Sequence, residues 1–241
     1  MTECGRALRT MGRGAGSMEE AANRIVSHLH ASLIDGRTGT RACSLVRFFK
    51  THPLERLDED LQGFARAMCT DSRVFPEMKC LVLLASAGEL SEWSSRRSST
   101  GHKAIPLPSE EAVHQIPMIR NLIKQLGMSV SSVVKPDPEI ILDPEQKTFN
   151  VFVIPEALGS PHIPAQQDFI IPHGIKSVLG FGGGFPSGEL FAVIMFSKVP
   201  ISEDLAALFR PLALNVMIAV LPLTATVFAE PGSSPPASTS K

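Results

Sequence analysis

The sequence lacks a charge excess of either sign. Its 23 lysines and arginines nearly balance its 24 aspartates and glutamates, which leaves a formal net charge of -1. The composition therefore gives no support to nucleic-acid binding through a basic surface. Cysteine is also scarce, and the four cysteines are widely spaced without a Cys-x-x-Cys pair. We therefore expect free thiols in a reducing compartment, and neither a disulfide framework nor a structural zinc site.

Several motifs of catalytic and cofactor-binding proteins are missing. There is no Gly-x-x-x-x-Gly-Lys-Ser/Thr, no Gly-x-Ser-x-Gly and no His-Glu-x-x-His. The glycines at 180–184 lie between two apolar runs, so they predict a hairpin turn and not a phosphate loop. The closest histidine pair, His28 and His30, points to different faces of a predicted helix. The sequence thus predicts no catalytic residue, no metal ion and no cofactor.

The composition predicts one folded domain with loose ends. With 44% hydrophobic and 20% charged residues, the chain is too apolar to be disordered. We expect a flexible arm over residues 1–17, a domain over residues 18–222 and a disordered polar tail over residues 223–241. The amino terminus has no apolar segment of the length that a secretory signal needs, which favours a cytoplasmic protein.

One apolar segment raises the question of a membrane span. No charged residue occurs from Pro211 to Ala229. However, Asn215 and Pro222 interrupt the segment, and no cluster of lysine or arginine flanks it. We therefore expect a helix docked on a soluble domain and no membrane partner.

Periodicity and capping residues predict alternating helices and strands. Capping and turn-forming residues favour helices at 18–34, 57–68, 109–126 (bent or begun late at Pro117) and from 202. They favour strands at 43–50, 79–85, 149–154, 174–180 and 189–197. The last two strands read as a hairpin in an antiparallel sheet, which makes α+β the predicted fold class.

Two segments resemble the GAF family of small sensory domains. They are GIKSVLG with the following GELFAVIMFS, and WSSRRSSTGHKAIPLPS, which is similar to GAF-like domains at the amino terminus of bacterial sensor histidine kinases. The resemblance implies an antiparallel sheet with the amino-terminal and carboxy-terminal helices packed on one face. It also implies a non-catalytic sensory or regulatory domain in a two-component signalling system, with a signalling kinase as a possible partner.

The polar stretch from Gly88 to Pro108 is the predicted ligand site. It combines the only tryptophan with cationic side chains, which suits an anionic or planar small molecule. His173 lies at the start of the predicted hairpin, where it could line the same pocket. The predicted ligand-binding residues are Trp93, Arg96, Arg97, His102 and His173, with Lys103 beside them. The alternative is a solvated basic loop with Trp93 closing the core.

Two other functions stay open on the sequence. Some GAF-fold enzymes reduce methionine sulfoxide through cysteines, and Cys69 and Cys80 flank a turn here. A purely structural interaction domain with a filled core is the other alternative. The apolar stripes of the first and last helices also predict a homodimer, with Leu212 and Val216 in its interface.

Overall fold

Six antiparallel strands form the centre of the computed structural model, which describes residues 1–69, 74–135 and 149–229. The strand order is β3-β2-β1-β6-β5-β4. The strands are β1 (Cys43–Pro53), β2 (Lys79–Gly88), β3 (Ala104–Leu107), β4 (Asn150–Ile154), β5 (Ser177–Gly184) and β6 (Leu190–Ser197). Strand β3 lies in the stretch that the sequence predicts as a loop, and helices account for much of the remaining chain, so the α+β prediction is confirmed.

The helices cover both faces of this sheet. They are α1 (Thr2–Thr10), α2 (Met18–Ser32), α3 (Glu59–Met68), α4 (Glu110–His114), α5 (Pro117–Gln125), α6 (Val130–Val134), α7 (Glu203–Ala207) and α8 (Arg210–Val220). The predicted helix at 109–126 is divided, because Pro117 occupies the first turn of α5.

The sheet has one face packed against long helices and one packed against loops and short helices. Helices α1, α2 and α8 share a core with the first, which we call the helical face. Helices α4, α5 and α6, the segment 89–103 and the segment 155–175 cover the second, the loop face. The predicted packing of the terminal helices on one face is therefore confirmed.

The amino terminus differs from the predicted flexible arm. Residues of α1 form a helix in which Leu8 is fully buried. Gly5 faces α8, where an added Cβ would lie 3.0 Å from the Asn215 side-chain amide. A nine-residue helix is not stable alone, so its order comes from packing against α8 and has no local signature in the sequence.

Residues 223–229 are ordered, whereas the sequence predicts a disordered tail from residue 223. Thr226 accepts a hydrogen bond from the Met18 amide at 2.8 Å, and Val227 accepts one from the Glu19 amide at 2.9 Å. Val227 is also buried. Residues 223–229 therefore pack against the start of α2, and the rest of the predicted tail, 230–241, lies outside the described residues.

The glycine-rich run belongs mainly to a strand, whereas the sequence predicts a turn there. Gly182 pairs with Ala192 inside the β5–β6 ladder. A Cβ at Gly182 would approach the Phe191 carbonyl oxygen to 2.2 Å, so only glycine fits at this position. The reversal occurs after Gly184, with Gly188 at a positive φ of 83°.

Helix α8 turns the predicted interface residues inward. Leu212 and Val216 are at most 1% exposed, so they belong to the core and not to a dimer surface, which corrects the prediction. Leu214, Ile218 and Leu221 point outward instead. Glu203–Leu223 has the length and mean hydropathy, 1.8, of a membrane span. The core helix of a soluble protein can have the same length and hydropathy, so this segment is weak evidence for a membrane span.

Candidate functional site

Trp93 closes the loop-face core at the end of β2. The chain leaves the strand at Gly88 and makes a short 3-10 turn, Ser91–Trp93. A Cβ at Gly88 would lie 2.7 Å from the Trp93 Cβ, so the ring packs directly over this glycine. The Ser86 hydroxyl donates to the Trp93 carbonyl oxygen at 2.8 Å. Trp93 is 8% exposed, which matches the core role that the sequence left open.

Trp93 meets His173 in an aromatic cluster. The two ring centroids lie 4.6 Å apart in an edge-to-face arrangement. Phe169 contacts both rings and also packs edge-on against Phe196 of β6, with centroids 4.9 Å apart. The structure thus brings together two of the predicted ligand-binding residues from segments about eighty positions apart.

Arg96 turns away from this cluster. Its Nε donates to Glu19 Oε1 at 2.7 Å, and its Nη1 donates to Asp58 Oδ2 at 3.3 Å. Its guanidinium carbon also lies 5.4 Å from the centre of the Phe228 ring. Burial opposes the charged form, but Glu19 and then Asp58 outweigh it and raise the pKa of Arg96. The sequence predicts that Arg96 lies with Trp93 in one ligand site. In the structure, Arg96 binds carboxylates of the chain instead.

The other three predicted cations lie at the outer side of the same loop. Arg97 is exposed, and its carbonyl accepts a hydrogen bond from Lys103 Nζ at 3.1 Å. His102 adopts a positive φ of 60°, a strained conformation for a residue with a Cβ. Desolvation and the nearby charge of Arg47 lower the pKa of His102. His102 therefore belongs with Arg47 and not with the aromatic cluster.

Arg47 is a candidate that the sequence reasoning missed. It lies at the centre of β1, between Leu45 and Phe49 of the loop-face core. Its Nη2 donates to Ser99 Oγ at 3.1 Å. Its Nε is shielded from solvent and has no hydrogen-bond acceptor in the part of the chain that the structure describes. The signal that could have revealed it is a single arginine within the apolar run CSLVRFFK.

The charge of Arg47 has no carboxylate beside it. Among residues 1–69, 74–135 and 149–229, no aspartate or glutamate forms an ion pair with this guanidinium. Burial alone lowers the pKa of Arg47 to about 10, so the group stays charged near neutral pH. The cross-strand neighbours of Arg47 are Ser86 in β2 and Ile194 in β6. The loop 89–103 thus carries Trp93 and contacts Arg47 through Ser99.

The cysteines are poorly placed for thiol chemistry. Cys80 is fully buried in β2. Burial and then the nearby Cys69 raise the pKa of Cys80 to about 12, and burial also raises the pKa of Cys69. A nucleophilic cysteine needs a thiolate, which a raised pKa disfavours. In the part of the chain that the structure describes, no group of three or more His, Cys, Asp or Glu side chains could hold a metal ion.

An apolar groove of about 200 Å³ lies on the helical face. Leu33, Cys43, Leu208 and Phe209 contribute to its lining. The one hydroxyl in the lining, Ser197 Oγ, already donates to the Val199 carbonyl oxygen at 2.9 Å. The groove offers hydrophobic contact without the polar groups that orient a specific ligand. The loop face therefore carries the stronger candidate site.

Comparison with known proteins finds only distant structural likeness. No protein-family model matches the sequence, and no curated protein matches it. CepR2 from Burkholderia cenocepacia, an N-acylhomoserine lactone dependent LuxR family transcription factor, is similar at 14% identity and a TM-score of 0.43, with 93% of this chain and 94% of that chain covered.

Two structures of bacteriophytochrome RpBphP3 from R. palustris are similar as well. The first has 8% identity and a TM-score of 0.41, and the match covers 93% of this chain and 37% of that one. The second, the chromophore-binding domain, has 10% identity and a TM-score of 0.40, with 93% and 61% covered. The chain thus spans about a third of the length of the first structure and about three fifths of the length of the second. At TM-scores below 0.5, none of these likenesses carries an argument about function.

Proposed function

We propose that this protein is a non-catalytic sensory or regulatory domain that binds a small molecule on its loop face. The observation that carries the proposal is that one loop, 89–103, carries Trp93 of the aromatic cluster and contacts the partly buried cation Arg47 through Ser99. Small-molecule sites typically combine an apolar lining with a few polar groups that fix orientation. The GAF-like resemblance and a role in bacterial signal transduction belong to the same proposal.

Access to the site depends on the loop 89–103. Trp93 is almost fully buried, so a ligand reaches its ring only when the loop moves outward. Among the contacts that hold the loop, the Glu89 amide donates to the Ser44 carbonyl oxygen at 3.0 Å at its start, and Arg96 binds Glu19 at its middle. A ligand would enter where the rest of the loop moves outward, away from these two contacts.

Dimerisation is the second element of the proposal. Leu214, Ile218 and Leu221 follow one another at intervals of four and three residues on the outer side of α8 and the turn after it, and each is at least 37% exposed. This spacing is typical of the seam between two packed helices. No charged residue occurs between Pro211 and Ala229 to oppose contact with a second copy. The expected partner is therefore another molecule of this chain.

A thermal-shift screen tests the ligand-binding proposal. Neutral, anionic and cationic metabolites are compared on the unaltered chain, on Trp93→Phe and on Arg97→Ala. A ligand at about 100 times its Kd adds roughly 2.7 kcal/mol of stability, which a melting curve resolves. We expect a compound whose effect shrinks in Trp93→Phe and persists in Arg97→Ala. A compound that acts equally on all three proteins binds elsewhere and would contradict the proposal.

A further inference from the structure

We infer that Arg47 binds a carboxylate group of the small-molecule ligand. The inference rests on the proposed function, because it names the charge of the ligand at the same site. It assigns a binding residue outside the set that the sequence predicts, and it states what chemistry the ligand must have.

One donor of the Arg47 guanidinium is unused. Nε–H is shielded from water and has no acceptor among the described residues. Nη2 carries two protons, of which Ser99 Oγ takes one. In a guanidinium group, Nε–H and one Nη2–H point the same way, as a fork that matches the two oxygens of a carboxylate. The Nε–H of Arg47, which is unused among the described residues, thus lies on the edge that binds carboxylates best.

Arg47 differs in its ion pairing from three other cations that are largely shielded from water. Lys50 is 1% exposed and lies 3.3 Å from Glu189 Oε2. Lys79 lies 3.9 Å from the same carboxylate, and Arg96 has two acidic partners. Within residues 1–69, 74–135 and 149–229, these three cations thus each have a carboxylate partner, whereas the half-buried Arg47 has none. Holding a cation partly out of water without a counter-charge is unfavourable, which favours the binding of an external anion there.

The groups around Arg47 indicate the kind of anion that would bind there. Arg47 supplies one positive charge, and the lowered pKa of His102 keeps that imidazole neutral near physiological pH. Leu45, Phe49 and Ile194 around Arg47 on the sheet are apolar, and the hydroxyl of the cross-strand neighbour Ser86 already donates to the Trp93 carbonyl oxygen. One charge in an apolar setting suits a monoanion with a hydrophobic body, whereas a phosphate dianion needs more cationic donors. A carboxylate on an aliphatic or aromatic skeleton fits these groups.

Matched probes that differ only in charge test the inference. Benzoate and hexanoate are titrated against benzamide and hexanamide on the full chain, on Arg47→Leu and on the exposed control Arg97→Leu, with melting temperature as the readout. We expect at least one carboxylate to bind the unaltered chain about tenfold or more tightly than its amide. That preference should disappear in Arg47→Leu and persist in Arg97→Leu.

The melting temperature without any probe is a second, independent readout. Because a partly buried cation without a counter-charge does not stabilise the fold, Arg47→Leu is expected to melt at or above the temperature of the unaltered chain. A fall of several degrees would mean that the charge of Arg47 is already compensated within the chain, which overturns the inference. Equal responses to carboxylates and amides, or no response to either, overturn it too. Equal binding of both would leave the proposed small-molecule function standing, so the two failures are distinguishable.

Discussion

Arg96 and Glu19 form a buried ion pair that joins the loop after β2 to the first turn of α2. The distance from Arg96 Nε to Glu19 Oε1 is 2.7 Å. The second oxygen of the same carboxylate, Oε2, accepts a hydrogen bond from the Ala229 amide at 3.0 Å. Through Glu19, the loop that carries Trp93 is therefore connected to the last described residues of the chain.

Loss of this ion pair is expected to destabilise the fold. Arg96→Ala leaves Glu19 buried without its cation, and breaking a buried pair in this way costs about 3–5 kcal/mol. Arg97→Ala removes an exposed cation from the same loop and is expected to change stability by less than about 0.5 kcal/mol. Urea unfolding curves of the two variants make the comparison. Equal stability of both variants would show that the Arg96 contacts contribute nothing.

Trp93 is expected to behave as a core residue while the loop is closed. Trp93→Ala should lower the free energy of unfolding by about 3–5 kcal/mol, as truncation of buried aromatic residues does. Its fluorescence, the only tryptophan signal of the chain, should be blue-shifted in the native state. Trp93→Phe keeps an aromatic ring against His173 and should cost less. A red emission maximum together with a stable Trp93→Ala variant would place the ring in water and contradict the structure.

The outer side of α8 is expected to hold a homodimer together. Ile218→Glu introduces a charge into the exposed apolar stripe and should give a folded monomer. Leu212→Glu, the comparison variant, places its charge in the core and should unfold the protein. Light scattering reports the mass of each variant, and circular dichroism reports its fold. An unaltered chain that is monomeric at tens of micromolar would remove the dimer from the proposal.

His52 is expected to make the protein sensitive to acid. Its Nδ1 lies 3.2 Å from Lys50 Nζ, and its ring packs edge-on against Phe228. Burial and then the charge of Lys50, partly opposed by Glu189, lower the pKa of His52 from 6.5 to about 4. Between these values the unfolded chain binds more protons than the folded one, so stability falls as the pH drops through this window. The slope approaches about 1.4 kcal/mol per pH unit.

Unfolding free energies measured across the same window test the role of His52. The variant His52→Gln cannot bind the proton, so its stability should depend less on pH than that of the unaltered chain. His30 and His102 also have lowered pKa values, as do the carboxylates of Glu20, Glu89 and Glu189, and these groups contribute to the pH dependence of both proteins. An identical slope in both proteins would show that His52 does not contribute.

Elements with local signals were predictable from the sequence. Helix α2 begins where Ser17 precedes two glutamates, and its hydroxyl accepts from the Glu20 amide at 3.1 Å. The positions of five of the six strands along the chain follow from the alternation of apolar runs and turns, but the pairing of β1 with β6 in the sheet has no local signal. Helix α1 escaped prediction because its order depends on α8, which lies some two hundred residues further along the chain.

The candidate site was predictable only in part. The sequence places Trp93 and Arg96 in one loop, but it does not say that they turn to opposite sides of that loop. The direction of each side chain is set by what it meets: the loop-face core for Trp93, and the carboxylates of Glu19 and Asp58 for Arg96. Arg47 looked like an ordinary strand residue, because a missing counter-charge is visible only once the chain is folded.

The most direct test of ligand binding on the loop face is the indole N–H resonance of Trp93. A single tryptophan gives a single indole signal in a nitrogen–proton correlation spectrum, so its position reports this site alone. The account predicts that a compound that raises the melting temperature also shifts this signal in a saturable way, and does so together with residues of β1 around Arg47. A compound that raises the melting temperature and leaves the Trp93 signal unchanged would contradict the account.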